Sequence, residues 1–342
     1  MKQKILYLLF YLSFFVVSAQ GKQDTTKIIS YEDRVMIRVN FDTNIEDFII
    51  NNKEEDAIAK TKISINNKIN TSLSLDYRII SATLSFAPRF IPGNNDDDLK
   101  VKSSYTDFKL RFFPKSFIQT VYYKNIKGFY VKNTDELIPG WQEGVDPYLQ
   151  LPDLRIQSFG GNTAYSFNKD FSLKSIYYQR EWQKKSNGSL VPALEYDLTF
   201  FKDKLENDLK SVETQFNLGA NLGYYYNWVI TKNVNISPFA FAGIGGKWTS
   251  SRDDLEDGTK SEREKDKFFT KKFGGGIHVG YNSERFLFGG KLNYTSYNYK
   301  QDATSNVQNN NVYGLLYIGY RFAPPKVVKE NYDKLQKKVP IL

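Results

Sequence analysis

The sequence predicts an all-β fold, a transmembrane up-and-down antiparallel β-barrel of about twelve strands behind a cleaved N-terminal signal peptide. Three observations lead there. From Gln215 to Trp228 apolar and polar residues alternate. Phe216, Leu218, Ala220, Leu222, Tyr224, Tyr226 and Trp228 share one face, and Gln215, Asn217, Gly219, Asn221, Gly223, Tyr225 and Asn227 share the other. A period of two marks a strand with one oily and one wet face, and this run is about twice the roughly 5–6 residues of an ordinary strand. Strand-like segments recur to residue 322, joined by short turns and by long polar loops, and outer-membrane barrels sort their connections in this way. Finally, Lys2 and Lys4 precede an apolar run from Ile5 to Val17 and the small residues Ser18 and Ala19, which reads as a secretory signal cut between Ala19 and Gln20.

Composition narrows the chemistry. The 342 residues include no Cys, one His and two Met. That excludes disulfides, thiol nucleophiles and thiolate metal sites, and a single His excludes a multi-His metal centre within the chain. No cofactor and no metal are expected. The 24 Tyr and 26 Phe suit strands, and Tyr suits membrane interfaces. Mean hydropathy is −0.50, which a barrel tolerates because half of each strand faces water. No segment after the signal approaches the roughly 20 apolar residues of a helical span. The net charge of +9 falls by the two leader lysines. A mildly basic exported chain suits anionic head groups, and export argues against nucleic acid as a partner.

In order, strands are expected near 33–41, 62–77, 81–90, 103–113, 117–131, 155–168, 171–183, 213–229, 233–249, 267–281, 284–300 and 311–322. Short turns fall at Pro114–Ser116, Asn168–Asp170, Thr231–Asn233 and Asn282–Glu284, and long loops at 42–60, 92–102, 132–153, 250–266 and 301–310. A further candidate at 190–201 would make an odd count and put short turns on both sides of the membrane. Even counts are the rule, so 184–212 is read as a large outer loop; the competing reading keeps 190–201 and drops 33–41. The last strand places Val312, Gly314, Leu316, Ile318, Tyr320 and Phe322 on one face, and Ala323-Pro324-Pro325 ends it. The organisation is thus a signal peptide at 1–19, a periplasmic segment at 20–32, the barrel at 33–322 and a Lys-rich periplasmic tail at 323–342. That tail is read as loosely ordered, or alternatively as a short helix docking through Val328, Tyr332 and Leu335.

Parity turns Asp76, Asp107, Lys109, Arg111, Lys272, His278, Arg285, Lys291 and Arg321 toward the lumen. Lipid-facing Lys or Arg at mid-depth costs roughly 2–4 kcal/mol, so the inward placement is physically demanded. Paired, these charges seal a narrow barrel; unpaired, they favour anions. His278 could serve as a general base beside a Ser hydroxyl, but no nucleophile motif accompanies it, and a polar lining is the simpler reading. Asp96-Asp97-Asp98 reads as a solvated turn rather than a calcium loop. The stretch Arg180, Glu181, Gln183, Lys184, Lys185 and Ser186 crowds a strand end with groups that can grip a phosphate or carboxylate. On the predicted topology it enters the outer loop, which makes these the candidate ligand contacts.

The succession Y-R-I-I at 77–80, K-G-F-Y at 127–130, F-N-K-D-F-S-L-K at 167–174 and Q-K-K-S-N-G-S at 183–189 resembles an uncharacterised Bacteroidota family, domain-of-unknown-function family 4421, over roughly Ser30 to Phe322. The resemblance implies a secreted outer-membrane β-protein and brings no catalytic residues. The expectation is a non-enzymatic outer-membrane barrel with both termini in the periplasm. It would be inserted by the barrel-assembly machinery, contact outer-membrane lipid, and pass a small solute or bind a ligand through its outer loops. The alternatives are a membrane-embedded lipid hydrolase using His278 and a soluble secreted β-protein.

Overall fold

Strands that are oily on one side and polar on the other must close on themselves in lipid, because an open edge would strand backbone donors where no water reaches them. A computed structural model describes residues 25–338, apart from 44–46, 55–56, 205–208 and 301–305. The signal peptide predicted at 1–19 lies outside the described residues. In chain order the strands are β1 (Ile28–Ser30), β2 (Val35–Asp42), β3 (Asp47–Glu54), β4 (Ala57–Ser64), β5 (Asn70–Tyr77), β6 (Ile80–Phe86), β7 (Ser104–Phe112) and β8 (Phe117–Val131). They continue as β9 (Gln150–Tyr165), β10 (Glu181–Gln183), β11 (Asn187–Lys204), β12 (Lys210–Thr231), β13 (Val234–Asp253), β14 (Glu264–Asn282), β15 (Phe286–Lys300) and β16 (Asn306–Phe322). Among the described residues the helices are α1 (Thr134–Leu137), α2 (Lys174–Tyr177) and α3 (Lys326–Lys338).

Twelve antiparallel strands close the barrel: β2, then β5 to β9, then β11 to β16, with β16 pairing back onto β2 through rungs such as Ile318–Val39. β3 and β4 form a hairpin added to the top of β8 at Ile63–Val131, and β1 pairs with β10. Connections sort by end. Arg78-Ile79, Phe113–Ser116, Lys232-Asn233 and Ser283–Arg285 make tight turns at one end, while the β3–β4 hairpin and residues 87–103 and 132–149 lie at the other.

The predicted strand count holds, but its membership changes. Residues 171–183 are not in the wall, 190–201 are, as part of β11, and 33–41 stay in as part of β2. The physical reason is period. β11 turns Leu190, Leu194 and Leu198 outward and Val191, Glu195 and Thr199 inward, whereas the apolar residues Phe171, Leu173 and Ile176 step by two and then three. That spacing forms one helical turn, and Gln179 at φ +52° then breaks any extended run. The segment 62–77 also divides, with β4 in the hairpin and β5 in the wall.

The outer surface is apolar where the strands are best aligned. Leu222, Ile244, Phe273, Leu292 and Ile318 are exposed, and Leu316 is 66% exposed. A continuous belt of such residues is too large for a monomer in water and is the lipid-facing band of a membrane-spanning barrel. Gly128 is among the glycines that sterics require. At Gly128 of K-G-F-Y the β8–β9 register shifts, φ is +82°, and an added Cβ would sit 2.4 Å from the Lys102 carbonyl oxygen.

The C-terminal tail is not loosely ordered. α3 lies against the tight-turn end of its own barrel. The Tyr332 ring is buried edge-on to Tyr77 at 5.3 Å, the Arg78 guanidinium stacks on Tyr332 at 4.7 Å, and Arg78 pairs with Asp333 at 2.8 Å. Val328 and Leu335 remain exposed. Tyr332→Ala removes a buried ring at a cost of roughly 3–5 kcal/mol. Limited proteolysis is expected to trim the tail of that variant much faster while the barrel stays resistant.

Candidate functional site

The inward polar side chains gather in the lumen, and its tight-turn end is filled. Residues 166–186 connect β9 to β11, and they fold back inside the ring instead of spanning it. Phe171, Leu173 and Ile176 pack on Phe113, Ile118, Ala164, Val191, Tyr225 and Phe239, which come from one side of the wall. Trp182 is fully buried and its indole N–H donates to the Lys232 carbonyl oxygen at 3.0 Å. β1 adds a backbone ladder to β10, from Ile28–Gln183 to Ser30–Glu181.

Polar anchors tie this plug to the barrel. Asn227, on the inward face of β12, donates to the Ser172 carbonyl oxygen at 2.9 Å and to Ser175 Oγ at 3.0 Å, and accepts from Ser237 Oγ at 2.7 Å. Across the lumen, Gln179 Oε1 accepts from the Arg38 guanidinium, and the Gln179 carbonyl oxygen accepts from Arg321 Nη2 at 2.6 Å. The plug therefore touches opposite walls.

Cations outnumber carboxylates around the plug, and aromatic faces balance part of the excess. Arg111 stacks over Tyr178 at 5.1 Å, Arg321 over Tyr31 at 3.8 Å, and Lys291 Nζ lies 4.1 Å from the centre of the Tyr177 ring. Desolvated cation–π contacts of this kind contribute about 2 kcal/mol each. Asp76 is fully buried and acts electrostatically on both Arg38 and Arg180. Within the plug, burial lowers the Arg180 guanidinium from its ordinary value while Asp76 opposes the shift. Burial likewise pushes the Tyr177 hydroxyl well above its usual range, reinforced by the nearby Tyr225.

Against the predicted sites, the largest change is at 180–186. These residues sit at the tight-turn end, not in an outer loop. Arg180, Glu181 and Gln183 are buried plug residues. Glu181 accepts from Ser172 Oγ at 2.6 Å and Lys174 Nζ at 3.1 Å, and Gln183 donates to the Asp170 carbonyl oxygen at 2.7 Å. Lys184 and Lys185 are exposed on the rim, and Ser186 Oγ accepts the Val229 N–H. Arg180, Glu181 and Gln183 make internal contacts because the chain turns into the barrel here.

Asp76, Asp107, Lys109, Arg111, Lys272, His278, Lys291 and Arg321 face the interior, where Lys109 pairs with Asp107 at 2.6 Å. Arg285 does not line the lumen. It lies exposed in the β14–β15 turn, one residue before the ladder that would have set its direction. His278 is buried, with Nε2 2.9 Å from the Tyr317 hydroxyl, and its cross-strand neighbour Ser237 gives its hydroxyl proton to Asn227.

Nearer the loop end, Lys272 Nζ reaches Glu195 at 2.6 Å across the interior, between cavities of about 280 and 380 Å³. On the opposite side of that end, Phe48 from the hairpin packs on Phe129 and Phe201 over an apolar cluster that includes Ile126 and Ile156. Sequence reasoning missed Gln179, Trp182 and Glu195. Asn227 was visible as an inward polar residue in the alternating run, but not as a plug anchor. Among the described residues, no group of His, Cys, Asp and Glu is arranged to hold a metal ion.

Several solved structures are similar in outline. The outer membrane protease OmpT from Escherichia coli matches at 7% identity and a TM-score of 0.35, covering 87% of this chain and 98% of that one. The outer membrane protein OmpT of Vibrio cholerae matches at 8% and 0.33, over 89% and 100% of the two chains. Ail, the attachment invasion locus protein of Yersinia pestis, matches at 12% and 0.24, over 60% and 97%. No curated protein matches the sequence. The family model described as Domain of unknown function (DUF4421) matches residues 22–322, a span that takes in the whole wall and the plug, and the chain belongs to that family.

Proposed function

We propose that this chain is a non-enzymatic outer-membrane receptor, a barrel closed at its periplasmic end and open to ligand from outside. The observation that carries this is the plug at 166–186, which joins opposite walls through Asn227 on one side and Arg38 and Arg321 on the other. Short turns face the periplasm in outer-membrane barrels, so the plugged end, the N-terminal segment and α3 belong on that side and the long loops outside. Outer-membrane lipid then covers the apolar belt, and the assembly machinery inserts the barrel. Conductance is the deciding measurement: a steady ion current through the intact protein would replace the receptor with a channel.

The lipid-hydrolase alternative draws little support. His278 is buried against the plug beside Tyr317, and the hydroxyl of its cross-strand neighbour Ser237 is committed to Asn227. Purified protein and its His278→Ala variant are expected to release fatty acid from phospholipid micelles at the same background rate. A rate that drops with the substitution would restore the enzyme reading.

A further inference from the structure

We infer that the upper lumen binds a neutral oligosaccharide; this rests on the receptor reading and names its ligand class. The two cavities share Lys272 and Tyr297 in their walls and so form one two-lobed site. Glycines make the room. Gly219 and Gly245 pair side by side between Glu195 and Thr270, all at inward positions, and Glu195 meets Lys272 over this bare stretch of wall.

Both carboxylates on the wall of the first lobe already have partners. Glu195 is paired with Lys272. Asp197 receives the Asn217 amide at 3.0 Å, the Thr199 hydroxyl at 2.9 Å and the Tyr122 hydroxyl at 2.9 Å. What the second lobe offers a ligand is amide and hydroxyl groups (Asn293, Thr295, Asn309 and Asn311) with the rings of Tyr297 and Tyr313. An amide donates and accepts at once, as the neighbouring hydroxyls of a sugar do. An ionic ligand would have to displace the Glu195–Lys272 pair or the donors on Asp197, and an apolar one would leave these amides unsatisfied. Asn293 Oδ1 is buried with no hydrogen-bond partner among the described residues.

The site lies toward the loop end of the barrel. On the outward side of the same strands, Leu292 and Tyr294 give way to Asn298, and Val312 to Asn310. The lobe therefore lies toward the loop-side rim of the lipid belt, with Lys291 between Tyr313 on its wall and Tyr177 of the plug. Each cavity is near the lower end of small-ligand pockets, roughly 300–1,000 Å³, so a short stretch of sugar chain fills it.

The test is a printed array of neutral, acidic and basic oligosaccharides probed with folded, detergent-solubilised protein, followed by calorimetry on the glycans retained. Neutral glycans are expected to be retained, and Asn293→Ala with Asn311→Ala to weaken them by about tenfold or more. Gly219→Leu is the second variant. A Cβ there meets nothing closer than the Ile244 carbonyl oxygen at 3.7 Å, so the new side chain fills the first lobe without straining the wall and binding should fall similarly. Heat-modifiable gel migration verifies that each variant is folded. Retention of only charged glycans, of none, or equally by the variants overturns the inference. Its failure is separable from that of the receptor reading: silent bilayers with no glycan bound remove the ligand class and leave the closed barrel, whereas a conducting protein removes the receptor whatever binds.

Discussion

Planar bilayers holding the intact protein are expected to stay electrically silent, and replacing residues 168–185 with a short Gly-Ser turn is expected to produce stable conducting steps. The reason is size. Eight strands enclose an interior that side chains can fill, whereas sixteen leave an aqueous channel; twelve need something extra to close them. Here the extra element is the plug, with Phe171, Leu173, Ile176 and Trp182 as its buried apolar side chains. Its removal bares Arg38, Lys109, Arg111, Lys291 and Arg321 against Asp76 and Asp107 on the wall, so the opened lumen should favour anions. Trp182→Ala is the milder form of the same experiment. It forfeits roughly 3–5 kcal/mol of packing together with the bond to the Lys232 carbonyl. Intermittent openings are expected, with unchanged heat-modifiable migration. Deletion protein that folds and stays silent would mean that the loop-end cluster around Phe129 closes the lumen instead.

Leu316→Arg should be the most damaging single change on the outside of the protein. In water a side chain 66% exposed could be charged at almost no cost, since surface substitutions usually stay within about 0.5 kcal/mol. In a bilayer midplane the same change costs roughly 2–4 kcal/mol. Leu316 lies midway along the outward apolar face of β16, between Val312 and Tyr320. Equilibrium unfolding in lipid should register that loss, while Asn310→Arg, on the same face but above the belt, should be close to neutral. Equal, small effects at both positions would return the chain to the soluble β-protein reading.

Much of the barrel was legible because its signal is local. Each wall strand carries its own alternation, and the tight turns are written in short polar runs, so strand count and loop sorting follow from neighbours in the chain. The error at 171–183 has the same root. Phe171 and Leu173 look like the start of another alternating strand, and nothing nearby reveals that Ile176 and Trp182 have a core to enter. Residues 190–201 fall outside the predicted wall because a thirteenth strand would break the even count; Pro192, unusual in a central strand, is accommodated one residue before the β9 ladder begins at Ala193–Ala164.

The candidate sites divide in the same way. Inward direction is a parity property, so Asp76, Lys272, His278 and Lys291 could be placed from the chain alone. Arg285 failed because it lies just past the end of the ladder, where parity loses meaning. Partnership is a different matter. Glu195 and Lys272 are far apart in sequence and meet only because two strands of inward glycine lie between them in the closed ring. Gln179 joins Arg38 and Arg321 only after the chain has doubled back.

The order of amino acids thus settles what every second residue must face, since a strand's period and the cost of charge in lipid act on each segment separately. Which segment leaves the wall to plug it, and which polar side chains then share a cavity, depends on ring closure, because that brings β2 onto β16 and sets distant strands opposite one another.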